Sequence, residues 1–316
     1  MKPQNILMIQ LRQLGDILLT SPCLKAVKED NPEHRITFLC HSMGRPILQD
    51  SPYLDELITY DDLSLWEYTK MALSLHHRQF TLVFDFMANP RSAKLAWLTR
   101  APQRIAFSTG RNWAFTDTVP RQLKSDYIVR EKFELLKKAG FHPVDDSLIM
   151  PWSAGKDLGP YHELMRHPEF ASAPLKVALS PTHRRENRRW PLENYLALAE
   201  RLVREKSAAI VWTWGPGEQD IIADLVQRCP VKTFASPRTN LRELTGMLAQ
   251  LDLFIGNANG ASHFAVAANC ATLKLCGPHT EEQAWSPMTG KHRTVKDWDD
   301  IRSLSVDKVW EALKFS

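Results

Sequence analysis

No apolar stretch of the chain approaches the roughly 18 residues that a membrane-crossing helix needs. Met1 to Gln10 is strand-like, too short and too poorly flanked to read as a secretory signal. The five cysteines (Cys23, Cys40, Cys229, Cys270 and Cys276) are odd in number and contain no Cys-x-x-Cys pair. That pattern argues against a disulfide framework and a structural zinc site. Reduced, buried thiols in a cytosolic protein fit it better. There is also no Lys/Arg block of the kind found in nucleic-acid arms, so no nucleic-acid partner is expected. What is present describes an ordinary soluble globular protein, with 44% hydrophobic and 24% charged residues. A length of 316 residues allows two domains with two cores. The net charge of +4 fits anionic substrates or an anionic membrane face. Of the ten tryptophans, Trp190, Trp212, Trp214 and Trp285 lie beside Pro or Gly in loop-like sequence. Sugar or base contacts are possible there, and packing is the default for each.

The first half alternates strands and helices. Apolar runs predict strands over Asn5–Gln10, Arg35–Cys40, Leu57–Tyr60, Leu82–Phe86 and Arg104–Phe107. Helical spacing covers Ile17–Glu29, Leu63–His76 and Pro90–Leu98. Such alternation implies an α/β fold with a parallel sheet covered on both faces. Ligands sit beyond the C-terminal strand ends of such sheets. Two polar loops lie at that edge, Arg12–Asp16 and Met87–Arg91. Asp16 stands out. It follows Gly15, where the backbone can approach a ligand closely, and a helix begins there. Its spacing fits a carboxylate that serves only the helix dipole as well as it fits a catalytic acid.

Trp152–Pro174 is rich in Gly and Pro and aperiodic, which marks a domain junction. A second βα set follows. Strands are expected at Lys176–Leu179 and Ala208–Trp214, and helices at Glu193–Lys206 and Glu218–Arg228. A helix capped by Asn240, with Glu243 as capping-box partner, should run through Gln250. Val306–Leu313 reads as a terminal amphipathic helix. The loop Ser180–Pro191 carries Arg184, Arg185, Arg188 and Arg189, which could neutralise a diphosphate or form a solvated loop. Leu251–Pro278 reads strand, turn, helix, strand. Its turn Asn257-Ala258-Asn259-Gly260 feeds a helix opening near Ser262, an end suited to an anion.

Taken together, RQLGDILLTSPCLKAVK, FTLVFDFMANPRSAKLAWLTRAPQRIAF, RRWPLENYLALAERL and GNANGASHFAVAA resemble the glycosyltransferase family that includes the ADP-heptose:lipopolysaccharide heptosyltransferases. The resemblance runs from Ile6 to Pro287 with four motifs in order. It implies the GT-B architecture, two Rossmann-like domains facing each other across a cleft. The expected division is an acceptor-binding domain over 1–160 and a nucleotide-sugar domain over 161–300. The helix in 301–316 would return to the first domain. The resemblance makes Asp16 the general base. Arg12, Gln13, Asn89 and Arg91 would line the acceptor side. On the donor side stand Thr182, Arg184, Arg188, Glu218, Asn257, Asn259, Gly260, Ala261, Ser262 and His263. Neither a metal nor a cofactor is implied. Two departures from the family pattern fall on the donor side: Ala258 replaces the usual Asp, and Arg184 stands near a usual small hydroxyl residue. The function implied is inverting transfer of heptose from ADP-heptose to the inner core of lipopolysaccharide. The acceptor is lipid-linked, so the chain would work peripherally at the inner face of the cytoplasmic membrane. A different nucleotide sugar, a GT-B epimerase, or a non-catalytic binding protein are the alternatives.

Overall fold

The computed structural model describes every residue except 1, 62–63, 122–126, 279–283, 288, 298 and 315–316. The expected helix start at Leu63 lies outside the described residues. The chain divides into two units, Met1–Pro151 and Trp152–Ser316. The division precedes the expected boundary at residue 160 because residues 152–160 are tied into the second unit. The Asp157 carboxylate accepts from the Ser153 N–H at 2.7 Å. The Asp157 carbonyl lies where a Cβ on Gly246 would fall, 2.8 Å away. Only glycine allows that approach.

The first unit holds β1 (Asn5–Ile9), β2 (Arg35–His41), β3 (Glu56–Tyr60), β4 (Leu82–Asp85), β5 (Gln103–Phe107) and β6 (Asp117–Val119). All pair in parallel, in the order β3-β2-β1-β4-β5-β6. Their near-continuous apolar runs are those of strands buried on both faces, and β1 shows it with Ile6 to Ile9 fully buried. The expected helix Ile17–Glu29 is two helices, Leu14–Leu18 and Ser21–Asp30, the second with Pro in its first turn. The strand β6 and the helix Ile128–Lys138 do not figure in the sequence expectations. β6 is only three half-buried residues, too short to show a period.

The second unit holds β7 (Leu175–Ser180), β8 (Ala208–Trp212), β9 (Phe234–Ala235), β10 (Leu253–Asn257), β11 (Ala271–Cys276) and β12 (His292–Lys296). These also pair in parallel, in the order β12-β11-β10-β7-β8-β9. Read from the other edge, this is the strand order of the first sheet. Both are doubly wound sheets of the Rossmann order, so each has one switch point, β1/β4 and β7/β10. Trp190 and Trp212 are fully buried and face the core rather than a ligand. Trp190 packs edge-on against Tyr195 at 4.8 Å and donates its Nε1–H to the Leu304 carbonyl. The terminal helix Val306–Leu313, expected to return to the first domain, belongs to the second unit. Val309 and Leu313 are buried in the core of the second unit with Leu202 and Trp190. Arg201 pairs with Asp307 at 2.7 Å, and Arg293 donates to the Leu313 carbonyl at 2.9 Å.

Candidate active site

The first sheet brings its five expected residues to one switch point. Arg12, Gln13 and Asp16 follow β1, and Asn89 and Arg91 follow β4. The two loops touch, with the Leu11 N–H donating to the Met87 sulfur at 3.1 Å. The Arg12–Gln13 peptide is cis. Asp16 is half-buried at the third position of Leu14–Leu18, where its Oδ2 accepts from the Gln13 N–H at 3.2 Å. The capping role is therefore real, and it occupies one oxygen. The other, Oδ1, has no partner among the described residues. Asn89 caps Pro90–Leu98 by accepting from the Arg91 and Ser92 N–H groups at 3.0 and 2.9 Å. Arg91 is exposed beside it.

Three residues outside the expected set shape this loop pair. Asp85, at the end of β4, is fully buried, and its Oδ1 accepts from the Met87 and Ala88 N–H groups at 3.0 and 2.9 Å. Its Oδ2 has no hydrogen-bond partner among the described residues. Burial pushes this carboxyl up to about 6, against the pull of its hydrogen bonds and of Arg111. Arg111 donates to the Ala88 carbonyl at 2.7 Å, completing the hold on that turn. Tyr60 closes β3. Burial raises its hydroxyl, and the charges of Arg12 and Arg91 oppose that. The sequence signal for Asp85 and Tyr60 was their place as polar residues closing apolar strands.

The donor-side residues gather at β7/β10. Here the structure separates bracing residues from those with atoms to spare. Asn257 is 0% exposed. Its Oδ1 accepts from the Trp190 N–H at 2.9 Å, and its Nδ2 donates to the Pro181 carbonyl at 2.8 Å. Its amide is spent inside the protein, so the expected direct donor contact through Asn257 is replaced by a brace between β10 and the arginine loop. Asn259 adds a second brace, donating to Ser180 Oγ at 3.0 Å and the Thr182 carbonyl at 2.9 Å. Its Oδ1 caps the helix Gly260–Ala267 through the Ser262 N–H at 3.3 Å. Ser262 is buried and turns its hydroxyl back to the Asn259 carbonyl. Glu218 accepts with one oxygen, Oε2, from Thr182 Oγ1 and the Gly215 N–H, both at 2.7 Å. Its Oε1 has no partner among the described residues.

Gly260 is exposed, and a Cβ there would meet nothing within 4 Å. Gly260 and Ala261 thus open the helix with N–H groups that the helix itself cannot satisfy. Arg184 is exposed and makes no hydrogen bond or ion pair among the described residues, while Arg188 is half-buried in the turn Glu186–Arg188. Burial and the nearby Lys274 push His263 down to about 3, so its imidazole is neutral at physiological pH. It can donate one hydrogen bond but supplies no charge. The one Asp-x-Asp in the sequence, Asp297 to Asp299, follows the edge strand β12. Asp297 accepts there from the Asp299 N–H at 3.1 Å.

The family model described as glycosyltransferase family 9 (heptosyltransferase) matches residues 68–304. The chain is 24% identical to lipopolysaccharide heptosyltransferase 3 of Escherichia coli over 312 residues, covering 93% of this chain and 89% of that one. Among solved structures, a family 9 glycosyltransferase of Veillonella parvula superposes with a TM-score of 0.86 at 18% identity, covering 98% and 96% of the two chains. The heptosyltransferase WaaC of E. coli, solved with ADP-2-deoxy-2-fluoro heptose, gives 0.75 at 18% identity, covering 98% and 99%.

Proposed function

Since the chain belongs to glycosyltransferase family 9, we propose that it transfers heptose from ADP-heptose to the inner core of lipopolysaccharide, with inversion and without a bound metal or cofactor. The observation that carries this reading is the first switch point. There a carboxylate with one uncommitted oxygen follows β1 with Arg12, and Asn89 and Arg91 follow the neighbouring strand β4. An acceptor hydroxyl attacks the anomeric carbon as Asp16 takes its proton. The bond from that carbon to the diphosphate oxygen breaks with its electron pair, and ADP leaves. Removal of the proton as the new bond forms is worth about 10²–10⁴-fold.

The leaving diphosphate gains one negative charge, spread over its terminal oxygens, that needs donors. Arg184 and Arg188 would supply charge, and the N–H groups of Gly260 and Ala261 the oriented dipoles. His263 adds a neutral donor, and the open oxygen of Glu218 suits ribose hydroxyls. Arg12 and Arg91 suit the anionic core sugars of the acceptor. That acceptor is lipid-linked, so the reaction belongs at the inner face of the cytoplasmic membrane, reached peripherally. Among the described residues no helix is long and apolar enough to cross a membrane.

Thermal-shift titration with ADP-heptose, UDP-GlcNAc and GDP-mannose tests the donor. Stabilisation by ADP-heptose alone is expected, and stabilisation by the UDP-sugar alone would refute the heptose reading. Turnover with a core-oligosaccharide acceptor, compared between wild type and Asp16→Asn, tests the base. Asparagine can still accept the Gln13 N–H, so the cap survives the substitution. A loss of at least about hundredfold is expected.

A further inference from the structure

Lys132 interrupts the apolar face of the helix Ile128–Lys138. Val129, Phe133 and Leu136 beside it are buried, and Lys132 itself is only 4% exposed. A buried ammonium is costly unless its protons are used. Its Nζ donates to Gln10 Oε1 at 3.0 Å and to Thr20 Oγ1 at 2.9 Å. Both partners pass the hold on. Gln10 Nε2 donates to the Arg12 carbonyl at 2.6 Å, and the Thr20 hydroxyl donates to the Asp16 carbonyl at 2.7 Å. One ammonium therefore grips the backbone on both sides of Gln13–Gly15. Nζ also lies over the Phe86 ring, 5.2 Å from its centre.

The titratable and charged groups facing Lys132 are Asp16, Cys23, Arg121 and Glu131. Burial pushes the ammonium down, and Asp16 leads the groups that pull it back up. Cys23 is no counter-ion, because burial drives its thiol up to about 12. A hydrocarbon would fill this core position without the desolvation cost, so the lysine is not explained by stability alone.

We propose that Lys132 is a positioning residue for Asp16. It fixes the loop that carries the carboxylate, through Gln10 and Thr20, by holding the Arg12 and Asp16 carbonyls. This rests on the reading of Asp16 as the general base. It adds a residue, remote in sequence from the loop, on which the base depends.

The test compares kcat and donor KM in the full chain. The variants are Lys132→Met, Lys132→Arg, Thr20→Val and Asp16→Asn, each checked for folding by circular dichroism. Lys132→Met is expected to lower kcat by about 30-fold with donor KM changed less than about twofold, because only the reacting geometry is lost. A purely structural lysine would lower the folded fraction without splitting kcat from KM in this way. Lys132→Arg, which keeps a donor for Gln10 and Thr20, should recover most of the lost kcat. Thr20→Val removes one arm of the hold and should lower kcat by about fivefold with donor KM unchanged.

A folded Lys132→Met with kcat within about twofold of wild type overturns the proposal. If Lys132→Met does not fold, Thr20→Val at full kcat overturns it instead. A fully active Asp16→Asn would sink the reading of the base itself. An inactive Asp16→Asn beside an unaffected Lys132→Met would sink only the role of Lys132.

Discussion

Asn257→Leu separates two roles that a sequence motif cannot tell apart. The motif makes Asn257 a donor contact, whereas the structure makes it a brace. Leucine has the same branched arrangement of side-chain heavy atoms and removes both the acceptor for the Trp190 N–H and the donor for the Pro181 carbonyl. Asn257 is fully buried, so water cannot replace it without a rearrangement. Leaving two buried groups unsatisfied costs roughly 1–3 kcal/mol each, or about 4 kcal/mol together. For a unit of this size that corresponds to a fall in melting temperature of roughly 10 °C. The arginine loop and the Thr182–Glu218 pair hang from the same turn, so nucleotide affinity should fall alongside stability. The assay is thermal denaturation with and without ADP, together with an ADP titration by calorimetry. A brace predicts a lowered melting temperature in the absence of any ligand. An unchanged melting temperature with ADP binding abolished would refute the reasoning and return Asn257 to the ligand.

Gly260→Val should leave the melting temperature within about 2 °C, since its side chain enters open space on a helix first turn, yet weaken ADP binding at least tenfold by occupying the phosphate approach. Retained affinity by calorimetry would move the diphosphate elsewhere. Asp85 tests a pH dependence. Its folded value of about 6 lies above the unfolded 3.8, so the fold favours the protonated form. Its contribution is full below about 4 and is lost as pH rises to about 6, an amount near 3 kcal/mol at 1.36 kcal/mol per pH unit. Asp85→Asn should flatten the stability profile between pH 4 and 6, measured by urea denaturation, and an unchanged slope would contradict the assignment. His263 is held neutral down to about 3, so ADP affinity between pH 5 and 8 should carry no protonation step removable by His263→Gln. Loss of such a step in that variant would show that His263 binds as a cation.

The sheets were legible because strands buried on both faces leave unbroken apolar runs. The cap at Asn240 and the helix start at Pro90 were legible because local chemistry sets them. Three short features were not. β6 and β9 draw their strandedness from a neighbour's edge rather than from their own residues. β12, His292–Lys296, has no apolar run, with Val295 its one aliphatic residue, and is likewise held by its partner, β11. The terminal helix was found to the residue, but its packing partner was not. An amphipathic stripe says that a face is buried and not against what. In the candidate site, residue identity was legible and residue duty was not. Asp16, Asn89 and Asn259 all serve as caps, and Asn257 as a weld. A sequence records no burial, so an asparagine facing a ligand and one facing a carbonyl read alike. Lys132 left a signal of another kind, a charge on the apolar stripe of a helix.

The braces also bear on Ala258, the alanine that stands where the family pattern has an aspartate. If that carboxylate were needed to shape the turn, an alanine would leave the turn unsupported. The turn is instead held from either side. Asn257 ties it to Pro181 and Trp190, Asn259 ties it to Ser180 and Thr182, and the Asn259 N–H donates to the Asn257 carbonyl at 2.7 Å. The shape that receives an anion therefore survives the substitution. What Ala258 removes is a negative charge and two acceptor oxygens beside the first turn of Gly260–Ala267. Removing the charge favours a diphosphate there, since like charges repel. Removing the acceptors leaves nothing at that position to discriminate among sugar hydroxyls. The two effects have opposite signs on two parts of one donor. They predict tight binding of the nucleoside diphosphate with relaxed selection of the sugar. Ala258→Asp should reverse both, weakening ADP while sharpening the preference among ADP-linked sugars. Competition binding with ADP, ADP-heptose and ADP-glucose reads the two changes separately. A variant that bound ADP more tightly would contradict the electrostatic half of the argument.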